Sequence, residues 1–200
     1  MNYLAHVFLS SPDPEQQLGS LIADFTRGQL ATLAKVYPSG IMKGIVLHRQ
    51  IDRFTDDNAW VLESKRLFAG KQRRYAGIIL DILYDHFLNR HWDQFSDADR
   101  VVFIQQFYAL LARERQRLPV RLQRLVPRII HEDWMGSYHD LEQLGLVYRR
   151  MSLRLSRSNP LDDALTEVKR HYSALSEGFH QFFPELVAFS EQQQQQLDRE

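Results

Sequence analysis

The chain has no cysteine among its 200 residues. That excludes disulfides, a thiol nucleophile, zinc–thiolate centres and iron–sulfur clusters, and it suits a reducing compartment. Net charge is missing too: 25 basic residues meet 25 acidic ones, so no global field draws the protein to nucleic acid or to a membrane. No run approaches the ~20 apolar residues that a membrane span needs. The opening Met1-Asn2-Tyr3-Leu4-Ala5-His6 lacks the basic start and long apolar core of a signal peptide. A soluble, cytoplasmic protein is the expectation. There is no Gly-x-Ser-x-Gly nucleophile elbow and no glycine-rich phosphate loop of the P-loop or dinucleotide type. Sustained β-branched alternation, repeats of solenoid period and long linkers are also absent. What remains at this length is one all-α domain, a single helical bundle over 1–200.

Periodicity predicts helices over about Glu15–Phe25, Ser39–Phe54, Asn58–Phe68 and Tyr75–Trp92. Ser96 is the expected N-cap of the next helix, with Asp97 and Asp99 in its first turn, and that helix runs toward Leu118 and stops before Pro119. Prolines then read as breaks. They divide the chain into Pro119–Leu125, Pro127–Trp134 and Ser137–Leu155, then a helix opened by Ser158-Asn159-Pro160 that runs toward Gly178. A last helix beyond Phe183-Pro184 carries Leu186, Val187 and Phe189 into a glutamine tail, Gln192–Gln196, that reads as frayed surface. Trp60, Trp92 and Trp134 read as core.

The chemistry lies in the first half. Residues four apart on a helix share a face. His48 therefore aligns with Asp52, and Asp81 with Asp85; His6, Asp24, His86 and His91 add further donors. The paired groups stand in apolar helical pattern (Ile41, Ile45 and Ile51; Ile78, Ile79 and Leu83), where unpaired carboxylates are costly. A divalent cation is the simplest compensation. With imidazole and carboxylate but no thiolate, a hard or borderline ion such as manganese or magnesium fits best. Plainer alternatives stay open: an intrahelical His48–Asp52 pair, Asp81 paired with Arg49 or Arg53, and Asp24 paired with Arg27.

Four motifs carry a resemblance. They are Asn2-Tyr3-Leu4-Ala5-His6; Gly19-x-x-x-Ala23-Asp24-Phe25-x-Arg27-Gly28; Gly44-Ile45-x-x-His48-Arg49-x-Ile51-Asp52-x-x-Thr55-Asp56; and Asp81-x-x-Tyr84-Asp85-His86-Phe87-Leu88-x-Arg90-His91-Trp92. In this order over residues 1–92, and at this chain length, they closely resemble the acyl carrier protein phosphodiesterases, bacterial enzymes also called acyl carrier protein hydrolases. Beyond residue 92 the likeness is looser, helped by Tyr172 and Phe182-Phe183-Pro184.

The resemblance implies an all-α fold divergent from the HD phosphohydrolases. It implies hydrolysis of the phosphodiester that joins 4'-phosphopantetheine to a serine of holo acyl carrier protein, giving apo carrier and free phosphopantetheine. It also implies a divalent metal, Mn2+ favoured, with Mg2+ or Fe2+ as alternatives. The chain reads as departing from the HD signature, lacking an adjacent His-Asp dipeptide and carrying Asp85-His86 in reverse order. On this resemblance Asp24, His48, Asp52 and Asp81 are the expected metal ligands and Asp85 and His86 the alternates. His6 is expected as a ligand or a phosphate contact. Arg27 or Arg49 is expected to steady the developing phosphoryl charge, and His86 to protonate the leaving serine oxygen. Phe54, Tyr84 and Phe87 are candidate walls for the arm, whereas His131, His139, His171 and His180 read as surface or structural.

Acyl carrier proteins are acidic, so the substrate implied here needs a basic surface. Three clusters offer one: Arg113, Arg115, Arg117, Arg121, Arg124 and Arg128; Arg149, Arg150, Arg154 and Arg157; and Lys65, Arg66, Lys71, Arg73 and Arg74. Each also reads as a solvated helix face paired with acids. Nucleic acid is a poorer partner, because aromatic interleaving is weak. Two rival functions remain: an HD-like hydrolase of a nucleotide or other small phosphoester, and a non-catalytic helical module that binds an acidic partner.

Overall fold

A computed structural model describes residues 1–155 and 159–199. The described residues form α-helices and short 3-10 turns, with no strand among them. The helices are α1 (Tyr3–Phe8), α2 (Pro14–Ile22), α3 (Leu30–Leu33), α4 (Ser39–Asp57), α5 (Ala59–Arg66), α6 (Ala76–Arg90), α7 (Arg100–Arg113), α8 (Val120–His131), α9 (Leu141–Arg154), α10 (Ala164–Arg170) and α11 (Tyr172–Leu197). The all-α expectation holds.

α6 is the centre. Every residue from Ile82 to Asn89 is buried, as expected of a helix that is apolar on nearly all sides. α1, α5, α9 and α11 pack around it. One contiguous hydrophobic core runs from Met1 to Leu197.

α2 and α4 make the closest crossing. Gly19 and Gly44 face each other there, and a Cβ on Gly44 would stand 2.1 Å from the Gln16 carbonyl oxygen and 2.9 Å from the Gly19 Cα. Both neighbours are backbone, so nothing flexible can yield. This contact brings Ser20 of α2 against His48 of α4. Gly44→Ala is expected to destabilise the fold by about 1–3 kcal/mol or more through overpacking. It should also pull Ser20 away from His48. Chemical denaturation, with nuclear magnetic resonance of the His48 ring protons, checks both effects.

Several sequence expectations change. α7 opens not at Ser96 but at Asp99, whose carboxylate accepts from the Val102 N–H at 2.8 Å. Ser96 instead closes the turn before it, accepting from the Ala98 N–H. Pro127 does not divide the chain but lies inside α8. A mid-helix proline removes the donor for the carbonyl four residues back, here that of Gln123, and the Arg115 guanidinium donates to that carbonyl at 2.8 Å. Pro184 likewise lies inside α11. Phe182, Phe183 and Leu186 on either side are fully buried, and that burial outweighs the ~3 kcal/mol cost of an interior proline.

The glutamine tail is docked rather than frayed. It continues α11 to a buried Leu197, and Gln194 donates to the Leu9 carbonyl at 2.7 Å. Trp60 is exposed and donates to Glu185, whereas Trp92 and Trp134 are core as expected. The expected cap Ser158 lies outside the described residues; the chain resumes with Asn159 accepting from the Leu161 N–H ahead of a 3-10 turn and α10.

Candidate active site

α1 brings His6 to α4, and the two chains of donors meet. The His6 and His48 rings stack with centroids 3.7 Å apart, and both are buried. Each points at the half-exposed Asp52: His6 Nε2 lies 3.2 Å from Oδ1 and His48 Nε2 lies 3.1 Å from Oδ2. Asp24, in the 3-10 turn Ala23–Phe25 after α2, comes within 3.8 Å of His48 Nε2. Asp81 on α6 reaches the Met1 amino group at 2.8 Å, and that amine lies 3.9 Å from Asp52 Oδ1.

The tautomer of His48 is fixed. Its Nδ1 lies 2.8 Å from the Ser20 carbonyl oxygen, so Nδ1–H donates there. In the neutral ring the Nε2 lone pair then faces two carboxylates, a repulsive arrangement unless a proton or a cation lies between them. Burial, helped by the neighbouring His48 charge, pushes the His6 imidazole down to about 3. Its Nδ1 is buried without a hydrogen-bond partner, and its Nε2 meets Asp52 without hydrogen-bond alignment. An orphaned buried nitrogen calls for a partner such as an ion. Burial raises Asp52, but the His48 and His6 contacts outweigh it and hold the carboxylate ionised, well below its usual range. Desolvation raises Asp24, opposed by His48.

His6, His48 and Asp52 offer one ligand atom each within 4.8 Å of one another, and the donor set suits a borderline or hard divalent ion. This differs from the picture of carboxylates sunk in a core. The imidazoles are the buried floor, and Asp24, Asp52 and Asp81 are the half-exposed rim.

The other expected residues go elsewhere. Asp85 is fully buried and accepts from the Leu4 and Ala5 N–H groups at 2.8 and 3.1 Å, so it caps α1. Burial pushes it up to about 7, with the two donors pulling it back. His86 faces away from the cluster: Nδ1 is 2.7 Å from the Tyr138 carbonyl and Nε2 2.8 Å from the Tyr172 hydroxyl. With burial holding it near 4, His86 is a neutral strut between α6 and α11. Arg27 is exposed and Arg49 half-buried, and neither has an ion pair among the described residues. The alternatives of an Asp24–Arg27 pair and of Asp81 with Arg49 or Arg53 are not formed, while the His48–Asp52 contact is. The expectation that the chain lacks an adjacent His-Asp dipeptide is corrected: His139-Asp140 is one, outside the motifs, but Asp140 is the N-cap of α9, accepting from the Glu142 N–H.

A cleft of about 320 Å³ opens beside the cluster, with Asp24 and Asp81 on its wall together with Phe25, Ile82 and Leu125. Its aromatic walls are not the expected ones. Tyr84 and Phe87 are core, packed on Phe179, and Phe54 stacks on Phe189 beside a different cavity. The site residue that sequence reasoning underweighted was His6, whose signal was its place in the opening motif.

A helical bundle that sets a rim of carboxylates over two buried imidazoles beside an open cleft has the layout of a helical hydrolase site. The chain belongs to the acyl carrier protein phosphodiesterase family, whose family model matches residues 1–186. Among curated relatives, the acyl carrier protein phosphodiesterases of Salmonella agona (strain SL483) and Salmonella newport (strain SL254) are each 36% identical over 189 residues, covering 94% of this chain and 96% of theirs. No solved structure matches the chain. Among the described residues, no helix is long and apolar enough to cross a membrane.

Proposed function

We propose that this protein is a divalent-metal-dependent phosphodiesterase of divergent HD type that removes 4'-phosphopantetheine from holo acyl carrier protein, acting in the cytoplasm. Family membership supports the substrate, and the chemistry of the cluster supports the mechanism. The observation that carries it is His48, locked by the Ser20 carbonyl so that Nε2 points at Asp52 and Asp24, beside a buried His6 whose Nδ1 has no hydrogen-bond partner.

His6, His48 and Asp52 would hold the ion, manganese first, with Asp24 and Asp81 flanking it. When bound, such an ion supplies charge neutralisation for the phosphoryl oxygens and a water of lowered pKa. Ser20 keeps His48 in the ligating tautomer. Asp85 holds α1, and with it His6, in register. Asp24, raised by desolvation and facing the cleft, keeps a proton more readily than an ordinary carboxyl and is placed to give it to the departing serine oxygen.

The arginine clusters divide. Arg113 and Arg117 pair with Glu114, Arg128 and Arg150 with Glu132, and Lys65 and Arg66 with Asp56 and Glu63. The Arg154 side chain and Arg157 lie outside the described residues. Arg115, Arg121, Arg124, Arg149, Lys71, Arg73 and Arg74 have no acidic partner among the described residues. They are the cations left for an acidic carrier.

The test is the intact mass of holo carrier after incubation with the protein and Mn2+. The reading predicts loss of the whole prosthetic group and a mass equal to the apo carrier. An unchanged carrier, with hydrolysis of nucleotide phosphoesters in a parallel panel, would overturn it.

A further inference from the structure

The cleft beside the cluster has a cation that was expected only as part of a basic docking surface. Arg121, on the first turn of α8, lines the cleft with Asp24 and Asp81. Its acidic neighbours in sequence are few, and among the described residues it forms no ion pair. Its guanidinium lies over the Phe25 ring, 5.9 Å from the centroid, which fixes its direction without satisfying its donors. A cation held this way, on the same wall as Asp24 and Asp81 but paired with neither, is complementary to an anion brought in from outside.

An aromatic wall leads inward from Arg121. Phe25 stacks on Tyr3 at 6.4 Å and 22°, and Tyr3 stacks on Trp134 at 6.1 Å and 14°. Ile78, Ile82, Leu125 and Met151 supply apolar surface along the cleft. Asn2, Tyr3 and Met151 line both the cleft and a smaller cavity of about 40 Å³ that ends at Trp134, Tyr138 and Val147. The volume of the cleft falls at the lower end of the ~300–1,000 Å³ typical of small-ligand sites. One end carries Asp24, Asp81 and Arg121 beside the imidazole cluster; the other is mostly apolar and aromatic, with Ser137 and Arg150 also on its lining.

We propose that Arg121 binds the phosphodiester anion and that the Phe25–Tyr3–Trp134 wall takes the pantetheine chain, its thiol end innermost in the small cavity. This rests on the phosphodiesterase reading for the identity of the arm and adds the residues that recognise it. The polarity follows from charge. The phosphodiester must lie at the His6–His48–Asp52 end, where it is cut; the Met1 ammonium on that part of the wall is taken by Asp81 at 2.8 Å, whereas Arg121 has no acidic partner among the described residues. The chain has no charge of its own and fits the apolar, aromatic end.

The experiment compares wild type, Arg121→Ala, Arg121→Lys and Met151→Trp for calorimetric binding of free 4'-phosphopantetheine and of pantetheine, which lacks the phosphate. Turnover of holo carrier is measured in parallel. Loss of a charge-assisted contact is expected to weaken phosphopantetheine binding by about 10-fold or more in Arg121→Ala, with partial rescue by lysine and no change for pantetheine. The Michaelis constant for holo carrier should rise more than the turnover number falls. Met151→Trp should weaken both ligands. Arg121→Ala that binds phosphopantetheine as wild type does would overturn the inference while leaving the phosphodiesterase reading intact. Binding that depends on Arg121, in a protein that leaves holo carrier at full mass, would uphold the inference and overturn that reading.

Discussion

His48→Gln and Asp52→Asn each abolish turnover of holo carrier and leave the helical circular dichroism unchanged: this is the largest functional effect expected of any substitution. Glutamine is a good helix former of similar reach, so α4 keeps its shape. What is lost is specific. His48 is the only one of the clustered groups whose ring direction is set from behind, by the Ser20 carbonyl at 2.8 Å, and aimed at two carboxylates. Asp52 is the point on which both imidazoles converge. Loss of an outer-shell partner alone typically costs about 10–100-fold in metal affinity or activity; removing either of these groups should cost more. The stability change should stay near ~1 kcal/mol, the net worth of one hydrogen bond. Steady-state assays with added Mn2+ decide the matter. Activity within tenfold of wild type in either variant would remove that residue from the site.

Asp85→Ala has the largest expected effect on stability. The carboxylate is fully buried and is the partner of two buried N–H groups at the start of α1. Each orphaned buried donor costs about 1–3 kcal/mol, so alanine should cost about 2–5 kcal/mol. Asparagine keeps one acceptor and should fall between. The pH dependence has a definite sign. The folded value of about 7 lies above the usual carboxylate value, so the stability Asp85 contributes is fully present at low pH and is lost as pH rises through about 7. The margin of wild type over Asp85→Asn should therefore be largest near pH ~4 and narrow toward neutrality. Urea denaturation across that range measures it. Activity should fall as well, because α1 carries His6. A stable, fully active Asp85→Ala would show that the α1 N-terminus needs no such partner.

Much of the site was legible because its spacing is local. His48 and Asp52 lie one turn apart on one helix, and a four-residue interval is visible in any sequence. The contribution of His6 was harder to read, since it depends on α1 folding back over α4, a contact between segments some forty residues apart. Asp85 and His86 misled for the opposite reason. Both bear reactive groups in the right motif, but one is used up by backbone donors and the other by Tyr138 and Tyr172. Local spacing shows which groups share a face and not what that face meets.

The prolines give the same lesson for the fold. Pro127 and Pro184 carry strong break signals, yet both lie inside helices. In α8 a distant guanidinium takes over the freed carbonyl, and in α11 buried phenylalanines outweigh the cost. Gly19 and Gly44 stood in the motifs without a stated reason. Their reason is the backbone-to-backbone crossing of α2 and α4, which turns two glycines into the device that sets Ser20 against His48. Arg121 was visible only as one of six arginines spread over residues 113–128. Its lack of an acidic partner among the described residues, and its place on the cleft wall, exist only in three dimensions.

The most direct test is calorimetric titration of chelator-stripped protein with Mn2+, on wild type, His48→Gln and Asp52→Asn. Wild type should bind the ion, both variants should lose at least about 100-fold in affinity, and the stripped wild type should release no prosthetic group until the ion is restored. Equal binding by all three proteins, or full cleavage of holo carrier by the stripped enzyme, would contradict a cation held between His6, His48 and Asp52.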